Sequence, residues 1–199
     1  MDVMDKLSLR DIDCRNKRVL LRADFNVPMS AQGVIEDDLR IQAVLPTIQF
    51  ILDQQASLVI ISHLGRPKGC IDESLRLNIC AKHLETLLPN KVITAHDCIG
   101  EQVLSLKKNL EPGQVLVLEN LRFYKEETDP ERGDLFGAAL AQGCDLYVND
   151  AFGCCHRPHA SITDVSRKFK GRAVMGFLLE KELKYFQSHV LTPHRPLAA

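Results

Sequence analysis

Several motifs that identify common enzyme classes are absent from this sequence of 199 residues. It contains no G-x-x-x-x-G-K-[ST] phosphate-binding loop and no G-x-G-x-x-G dinucleotide motif. It also lacks the H-E-x-x-H motif of zinc proteases and the G-x-S-x-G motif of α/β-hydrolases. No segment therefore predicts a cradle for a nucleoside triphosphate.

An excess of charge of one sign and long apolar segments are also absent. The chain has 25 Lys and Arg residues against 26 Asp and Glu residues, a net charge of −1, which argues against nucleic acid or an anionic membrane as a partner. No apolar run reaches the length of a transmembrane helix. The acidic amino terminus does not resemble a signal peptide, so we expect a cytoplasmic protein.

The cysteines lack the spacing of a disulfide framework. There are seven of them, an odd number, which predicts free thiols in a reducing compartment. Four residues near position 155 nevertheless allow a zinc-site hypothesis, namely Cys154, Cys155, His156 and His159. Structural zinc sites usually combine two paired motifs and only one is present here, so we expect hydrogen-bonded histidines and no metal.

Short apolar runs alternate with amphipathic segments along the whole chain. The predicted strands are 18–23, 57–61, 91–95, 114–118, 145–148 and 172–177. The predicted helices begin near residue 39, where Pro46 should kink or divide the helix, and then cover 74–88, 100–110, 135–142 and 178–190. This alternation predicts an α/β fold, a Rossmann-like parallel sheet of about six strands with helices on both faces.

Polar side chains collect where the predicted strands end, and the stretches 62–68 and 147–161 are the clearest examples. Ligands of parallel sheets bind beyond the carboxyl ends of the strands. Arginine binds phosphate and carboxylate through two parallel hydrogen bonds. We therefore expect one anion site that includes Arg40, Arg66, Arg122 and Arg157.

Two hydrogen-bond acceptors near the same strand ends refine the kind of ligand we expect. Asp24 and Asn26 follow the first strand and would accept hydrogen bonds from hydroxyl groups. An anion site with such acceptors suits a phosphorylated hydroxy acid better than a bare nucleotide. Two alternatives remain open from the residues alone: the arginines could be surface ion-pair partners, or the fold could be an anion-binding module without catalysis.

Five segments together resemble the amino-terminal half of the phosphoglycerate kinase family. In order they are VLLRADFNVP, SHLGRPKG, LENLRFYKEE, YVNDAFGCCHRPHAS and GFLLEKELKYF, and the resemblance covers residues 7 to 197. It implies reversible phosphoryl transfer between ATP and 3-phosphoglycerate, giving ADP and 1,3-bisphosphoglycerate. It also implies a monomeric enzyme whose second domain binds Mg²⁺ with ATP or ADP.

The resemblance also implies roles for individual residues. Arg40 would neutralise charge on the transferring phosphoryl group. The implied substrate-binding residues are Asp24, Phe25, Asn26, Arg40, His63, Leu64, Gly65, Arg66, Arg122 and Arg157. Cys154, Cys155 and Pro158 replace the small residues that are more usual in the family, but the charged positions match.

The resemblance finally implies a division of the chain. Residues 1–177 would form the 3-phosphoglycerate-binding domain. Residues 178–199 would form the inter-domain helix and the start of a nucleotide-binding domain that is otherwise absent. We therefore expect the chain to bind substrate but to have no activity alone.

Overall fold

The computed structural model describes residues 6–188, which fold around one sheet of six parallel strands. The strand order is β3-β4-β2-β1-β5-β6. The strands are β1 (Arg18–Arg22), β2 (Ser57–Ile61), β3 (Val92–Thr94), β4 (Val115–Val117), β5 (Leu146–Asn149) and β6 (Ala173–Met175). All six predicted strands are confirmed, with most of their ends trimmed by one or two residues.

Helices cover both faces of this sheet. They are α1 (Leu39–Asp53), α2 (Asn78–Leu87), α3 (Glu101–Lys108), α4 (Gly133–Ala141), α5 (Thr163–Lys168) and α6 (Phe177–Phe186). No helix among residues 6–188 is both long and apolar enough to cross a membrane.

Alternating residues of each strand supply two separate cores. In β1, Val19 and Leu21 pack on the side of α1 and α2, whereas Leu20 packs on the side of α3, α4 and α5. Side chains of a strand point alternately to opposite faces, so a strand that is buried on both faces must be apolar throughout. The strands therefore lack alternating polar residues because helices cover the sheet on both faces.

The segment predicted as one helix over 74–88 is divided in the structure. A 3-10 turn covers Glu73–Leu75, and α2 begins only at Asn78. Between them Arg76 is extended, with φ −70° and ψ 139°, and its guanidinium bonds Glu73 and Glu119. The prediction was wrong here because a distant carboxylate, Glu119, competes with helix formation.

Three further differences concern helices. Pro46 lies inside the continuous helix α1, so a second segment does not begin there. Helix α5 was not predicted, and its six residues are too few to show helical periodicity. Helix α6 matches the start of the helix predicted over 178–190, whose last two residues lie outside the described residues.

Candidate functional site

A small cavity lies at the centre of the sheet, beyond the carboxyl ends of its strands. Strand β1 pairs with β2 on one side and with β5 on the other, so the loops that follow these three strands meet. The cavity has a volume of about 150 Å³. It is lined by Asp24, Asn26, Arg40, His63, Arg66, Arg122, Gly153, Cys154, Arg157 and His159.

The four arginines predicted to surround one anion therefore do lie around one cavity. They come from distant parts of the chain: Arg40 from the first turn of α1, Arg66 and Arg122 from the loops after β2 and β4, and Arg157 from the loop after β5. Such convergence is the arrangement that recognises a small multiply charged anion.

The acceptors Asp24 and Asn26 are held in place by the backbone and by one arginine. The amide oxygen of Asn26 accepts a hydrogen bond from the backbone N–H of Gly65 at 2.8 Å. One oxygen of the Asp24 carboxylate accepts from the backbone N–H of Asn26 at 3.2 Å, and the other pairs with the guanidinium of Arg40. In the structure Arg40 is thus held over the cavity by Asp24.

A fully buried guanidinium, that of Arg22, lies behind His63 and Cys154 of the cavity lining, and we call this buried layer, with the groups bonded to it, the floor of the site. Arg22 donates to the hydroxyl of Ser161 at 2.9 Å and to Nδ1 of His63 at 3.1 Å, and it lies 3.6 Å from the sulfur of Cys154. Because Nδ1 of His63 accepts this bond, a neutral His63 carries its proton on Nε2. Arg22 was not predicted, because it stands inside an apolar run that indicated only a strand.

The buried carboxylate of Glu127 balances part of this charge. It accepts hydrogen bonds from the backbone N–H and the hydroxyl of Ser161, at 3.0 and 2.7 Å. The Ser161 hydroxyl thus bridges Glu127 and Arg22. Burial raises the pKa of Glu127, while Arg22 and the two bonds from Ser161 oppose that shift. The sequence indicated only a charged loop here, so Glu127 was also missed.

Two histidines of the cavity are kept neutral by their surroundings. Burial, then Arg22 and Arg122, lowers the pKa of His63 to about 2. Burial and the same arginines lower the pKa of His159 to about 4. At neutral pH both side chains therefore offer neutral imidazole groups, and the positive charge of the cavity comes from the arginines alone.

The rim of the cavity is more exposed than its floor. Arg66 and Arg157 are exposed, and 52% of the Arg40 side chain is accessible to solvent. Arg122 is half-buried and donates to the carbonyl of Gly65 at 2.7 Å. Arg157 donates to the ring of His156, which is also exposed.

Three of the predicted substrate-binding residues do not line the cavity. The side chains of Phe25 and Leu64 are buried in the core on the α1 side of the sheet. Gly65 adopts φ +62°, and a side chain there would overlap Leu75, so it permits a tight turn. The structure gives these three residues positions that shape the loops, and their contact with substrate stays a prediction.

The cysteine and histidine residues of the zinc hypothesis do not converge. Among residues 6–188 the one group of three possible ligand atoms within 4.8 Å of one another combines Asp24, His63 and Cys154. Those atoms face the guanidinium groups of Arg22 and Arg40, which disfavour a cation. All seven cysteines are free, as expected.

Comparison with known proteins places this geometry in a family context. The family model described as phosphoglycerate kinase matches residues 9–199. The phosphoglycerate kinase of Hydrogenobaculum sp. (strain Y04AAS1) is 49% identical to this chain over 98% of its length. That of Nostoc sp. (strain PCC 7120 / SAG 25.82 / UTEX 2576) is 52% identical over 96% of its length. The matches cover 48% and 47% of these proteins, so the chain spans about half the length of the curated relatives.

Two solved structures have the same fold. The phosphoglycerate kinase from Pyrococcus horikoshii OT3 superposes with a TM-score of 0.85 and 34% identity, over 96% of this chain and 47% of that one. The enzyme from Coxiella burnetii gives a TM-score of 0.76 at 34% identity, over 96% of this chain and 46% of that one.

Proposed function

The chain belongs to the phosphoglycerate kinase family, and on that premise we propose that its cavity binds 3-phosphoglycerate. The chain would then supply the acceptor half of a reversible transfer of a phosphoryl group from ATP to the substrate carboxylate. The products of that direction are 1,3-bisphosphoglycerate and ADP. The observation that supports the proposal best is that four arginines line one small cavity together with Asp24 and Asn26, whose oxygens can accept hydrogen bonds from a hydroxyl group.

Each group of the cavity has a role in this proposal. Arg66, Arg122 and Arg157 bind the substrate phosphate, because guanidinium groups stay charged and offer paired donors that match phosphate oxygens. Asp24 and Asn26 accept from the hydroxyl and orient the carboxylate outward. Arg40 leaves Asp24 to neutralise charge on the transferring phosphoryl group.

The chemistry asks little else of the protein. Phosphoryl transfer depends mainly on positioning and on neutralising charge, and it needs no nucleophilic side chain. The cavity provides both requirements: its neutral histidines can donate or accept single hydrogen bonds, and its arginines supply the charge. Substrate that binds here is held with its carboxylate available to a second reactant.

Mg²⁺ with ATP or ADP does not fit this cavity. The cavity of about 150 Å³ suits a three-carbon acid, and its charged groups are mostly cations, which repel Mg²⁺. We propose that the nucleotide is bound by the part of the relatives that this chain does not match, in a cytoplasmic and monomeric enzyme. Residues 1–177 would be the substrate domain, and α6 would begin the connection. The chain alone should then show no ATP-dependent turnover.

Calorimetric titration of the chain tests the proposal. We expect 3-phosphoglycerate to bind, ATP to bind much more weakly, and glycerate, which lacks the phosphate, to give no measurable heat. Arg122→Ala should abolish the binding of 3-phosphoglycerate. Arg15→Ala, which removes an exposed arginine paired with Asp13, should leave it unchanged.

Two results would contradict the proposal. Equal affinity for glycerate and 3-phosphoglycerate would mean that the arginines do not recognise the phosphate. Equal effects of Arg122→Ala and Arg15→Ala would mean that binding depends on total charge rather than on the cavity.

A further inference from the structure

A second cavity of the molecule differs from the anion cavity in lining and in charge. It has a volume of about 450 Å³ and lies between the loops after β3 and β4 and the start of α4. Among residues 6–188, no side chain lines both cavities. We call the second one the aromatic groove, after the rings of Tyr124 and Phe136 that line it. It has no role in the proposed function.

The base of the aromatic groove is apolar and fixed in position. The rings of Tyr124 and Phe136 are stacked, with their centroids 4.9 Å apart and their planes at 27°. Phe136 belongs to the core on the side of α3, α4 and α5, whereas Tyr124 and Ile99 are only partly buried at the edge of that core. The Tyr124 hydroxyl donates to the carboxylate of Asp97 at 2.6 Å, and burial, with this bond, raises the pKa of Tyr124. The ring is therefore held as a neutral phenol.

One wall of the groove adds an apolar side chain that the fold leaves uncovered. Leu135, in the first turn of α4, is 82% exposed, the largest exposure of a large apolar residue in the described part of the chain. A single exposed leucine needs no explanation. This one, however, lines the same cavity as two aromatic rings, so the groove offers apolar surface to a ligand.

The rim of the groove is acidic. Three carboxylates line it, those of Glu126, Glu131 and Asp134, against the single guanidinium of Arg132. Asp134 is neutralised by Lys168 at 2.6 Å, and the guanidinium of Arg132 lies 3.6 Å from another carboxylate. Among residues 6–188, neither Glu126 nor Glu131 forms an ion pair. The groove therefore keeps two uncompensated negative charges, the reverse of the anion cavity, and favours a cation.

The size of the groove indicates a small molecule as its occupant. Pockets for small ligands have volumes of about 300 to 1,000 Å³ and combine an apolar lining with a few polar groups. A stable protein partner needs about 800 Å² of contact on each side, more than a groove of about 450 Å³ supplies. Aromatic rings pack well against other rings and also attract ammonium groups.

From this lining we propose that the aromatic groove binds a small aromatic ammonium compound, in which a short chain joins a flat ring to a protonated amine. The ring packs against Tyr124 and Leu135, and the ammonium group faces Glu126 and Glu131. Apolar contact supplies most of the affinity. The carboxylates select the cation among ligands with the same ring, because exposed charges contribute little energy each.

A titration of the ¹⁵N-labelled chain, followed by NMR, tests the proposal with tryptamine as the probe. We expect tryptamine to shift the amide signals of residues 124–136 and of Ile99, with a Kd of about 1 mM, as its size allows. Indole-3-acetate has the same ring and the opposite charge, and it should bind about tenfold more weakly. Equal affinities for the two compounds, or shifts scattered over the whole chain, would overturn the proposal.

A first pair of variants tests the charge of the rim. Glu126→Gln combined with Glu131→Gln removes both uncompensated charges and keeps the size of the side chains. Tryptamine should then bind about fivefold more weakly, and its advantage over indole-3-acetate should shrink. Glu36→Gln combined with Glu85→Gln changes the net charge equally at exposed positions outside the groove and should have no effect. Equal losses in the two double variants would mean that net charge attracts the amine, against the proposal.

A second pair of variants tests the apolar wall. Leu135→Lys places a cation in the groove and should lower the affinity for tryptamine about tenfold. Ile71→Lys makes the same change at a residue that is 67% exposed and lies outside the groove, so it should have no effect. Because both side chains are exposed, both variants should keep the wild-type free energy of unfolding in urea titrations. Unchanged affinity in Leu135→Lys would contradict the proposal.

Other occupants of the groove would give different results. Spermidine carries positive charge without a ring, and shifts as large as those of tryptamine would mean that the groove recognises charge alone. Shifts of the same amides on raising the protein concentration, without ligand, would make the groove a contact between copies of the chain. Either result would overturn the proposal. The proposed function concerns the other cavity and is tested by 3-phosphoglycerate, so the failure of one proposal leaves the other intact.

Discussion

The floor and the rim of the cavity are built in opposite ways. On the floor, Arg22 and Glu127 are fully buried and linked through the hydroxyl of Ser161. On the rim, Arg66 and Arg157 are exposed, and the half-exposed Arg40 pairs with Asp24. Folding alone satisfies the charges of the floor, whereas the charges of the rim remain open to solvent.

This difference predicts which property each substitution will change. A buried ion network is expensive to break, because the remaining partner is left without compensation. Exposed charges contribute little to stability, since water already solvates them. Floor substitutions should therefore lower the free energy of unfolding, and rim substitutions should lower affinity or turnover without changing it.

The largest expected effect concerns the floor. Arg22→Met keeps the length of the side chain but leaves Glu127 buried without its counter-charge. We expect the free energy of unfolding to fall by about 3 to 5 kcal/mol in urea titrations. Arg66→Met serves as the control on the rim and should change it by no more than about 0.5 kcal/mol. Equal losses in the two variants would erase the distinction between floor and rim.

The next effect concerns turnover. Arg40→Ala, introduced into a chain that also contains the rest of a full-length relative, should lower kcat about a hundredfold or more. The affinity for 3-phosphoglycerate should fall much less. Arg40 pairs with Asp24 when no substrate is bound, so any contact it makes with bound substrate is offset by the loss of that pair. Steady-state kinetics and calorimetry separate the two quantities. Parallel losses in kcat and affinity would mean that Arg40 only binds substrate.

A smaller effect is expected from the other rim arginines. Arg66→Ala or Arg157→Ala each removes a charged donor and should weaken 3-phosphoglycerate binding about tenfold. The free energy of unfolding should stay the same, as urea titration can check. Arg167→Ala, whose arginine is exposed and pairs with Asp164, is the matched control. A lower free energy of unfolding in the rim variants would mean that these arginines contribute to folding, as the floor residues do.

The smallest effect is a dependence on pH. The pKa of His159 is about 4 in the folded chain and about 6.5 when it is unfolded. Between these values the unfolded chain binds more protons, so the free energy of unfolding rises with pH and then levels off above about 6.5. His159→Gln should make this rise shallower in urea titrations performed from pH 4 to 7. An unchanged slope would show that His159 does not stay neutral in the folded chain.

The rim was predictable from the sequence for a physical reason. Parallel strands place all their carboxyl ends at one edge of a sheet, so polar residues that follow different strands must meet. That rule located His63, Arg66, Arg122 and Arg157 without knowledge of the strand order. Arg40 was predicted to enter the same site from the first helix, and the match to family motifs added only its role.

The floor was not predictable in the same way. Arg22 lies within a strand, where the pattern indicated burial but gave no partner for a charge. Glu127 lies in a run of charged residues that resembles a solvated loop, yet the loop folds inward and its carboxylate is fully buried. Contacts such as Glu127 to Ser161, and Asp150 to Leu179, join residues about 30 positions apart, and no local pattern reveals them.

The most direct test is a crystal structure of the chain with 3-phosphoglycerate. The account predicts that the phosphate lies between Arg66, Arg122 and Arg157, with the hydroxyl beside Asp24 and with Arg40 released from that carboxylate. A ligand that binds elsewhere, for example in the groove beside Tyr124 and Phe136, would contradict it.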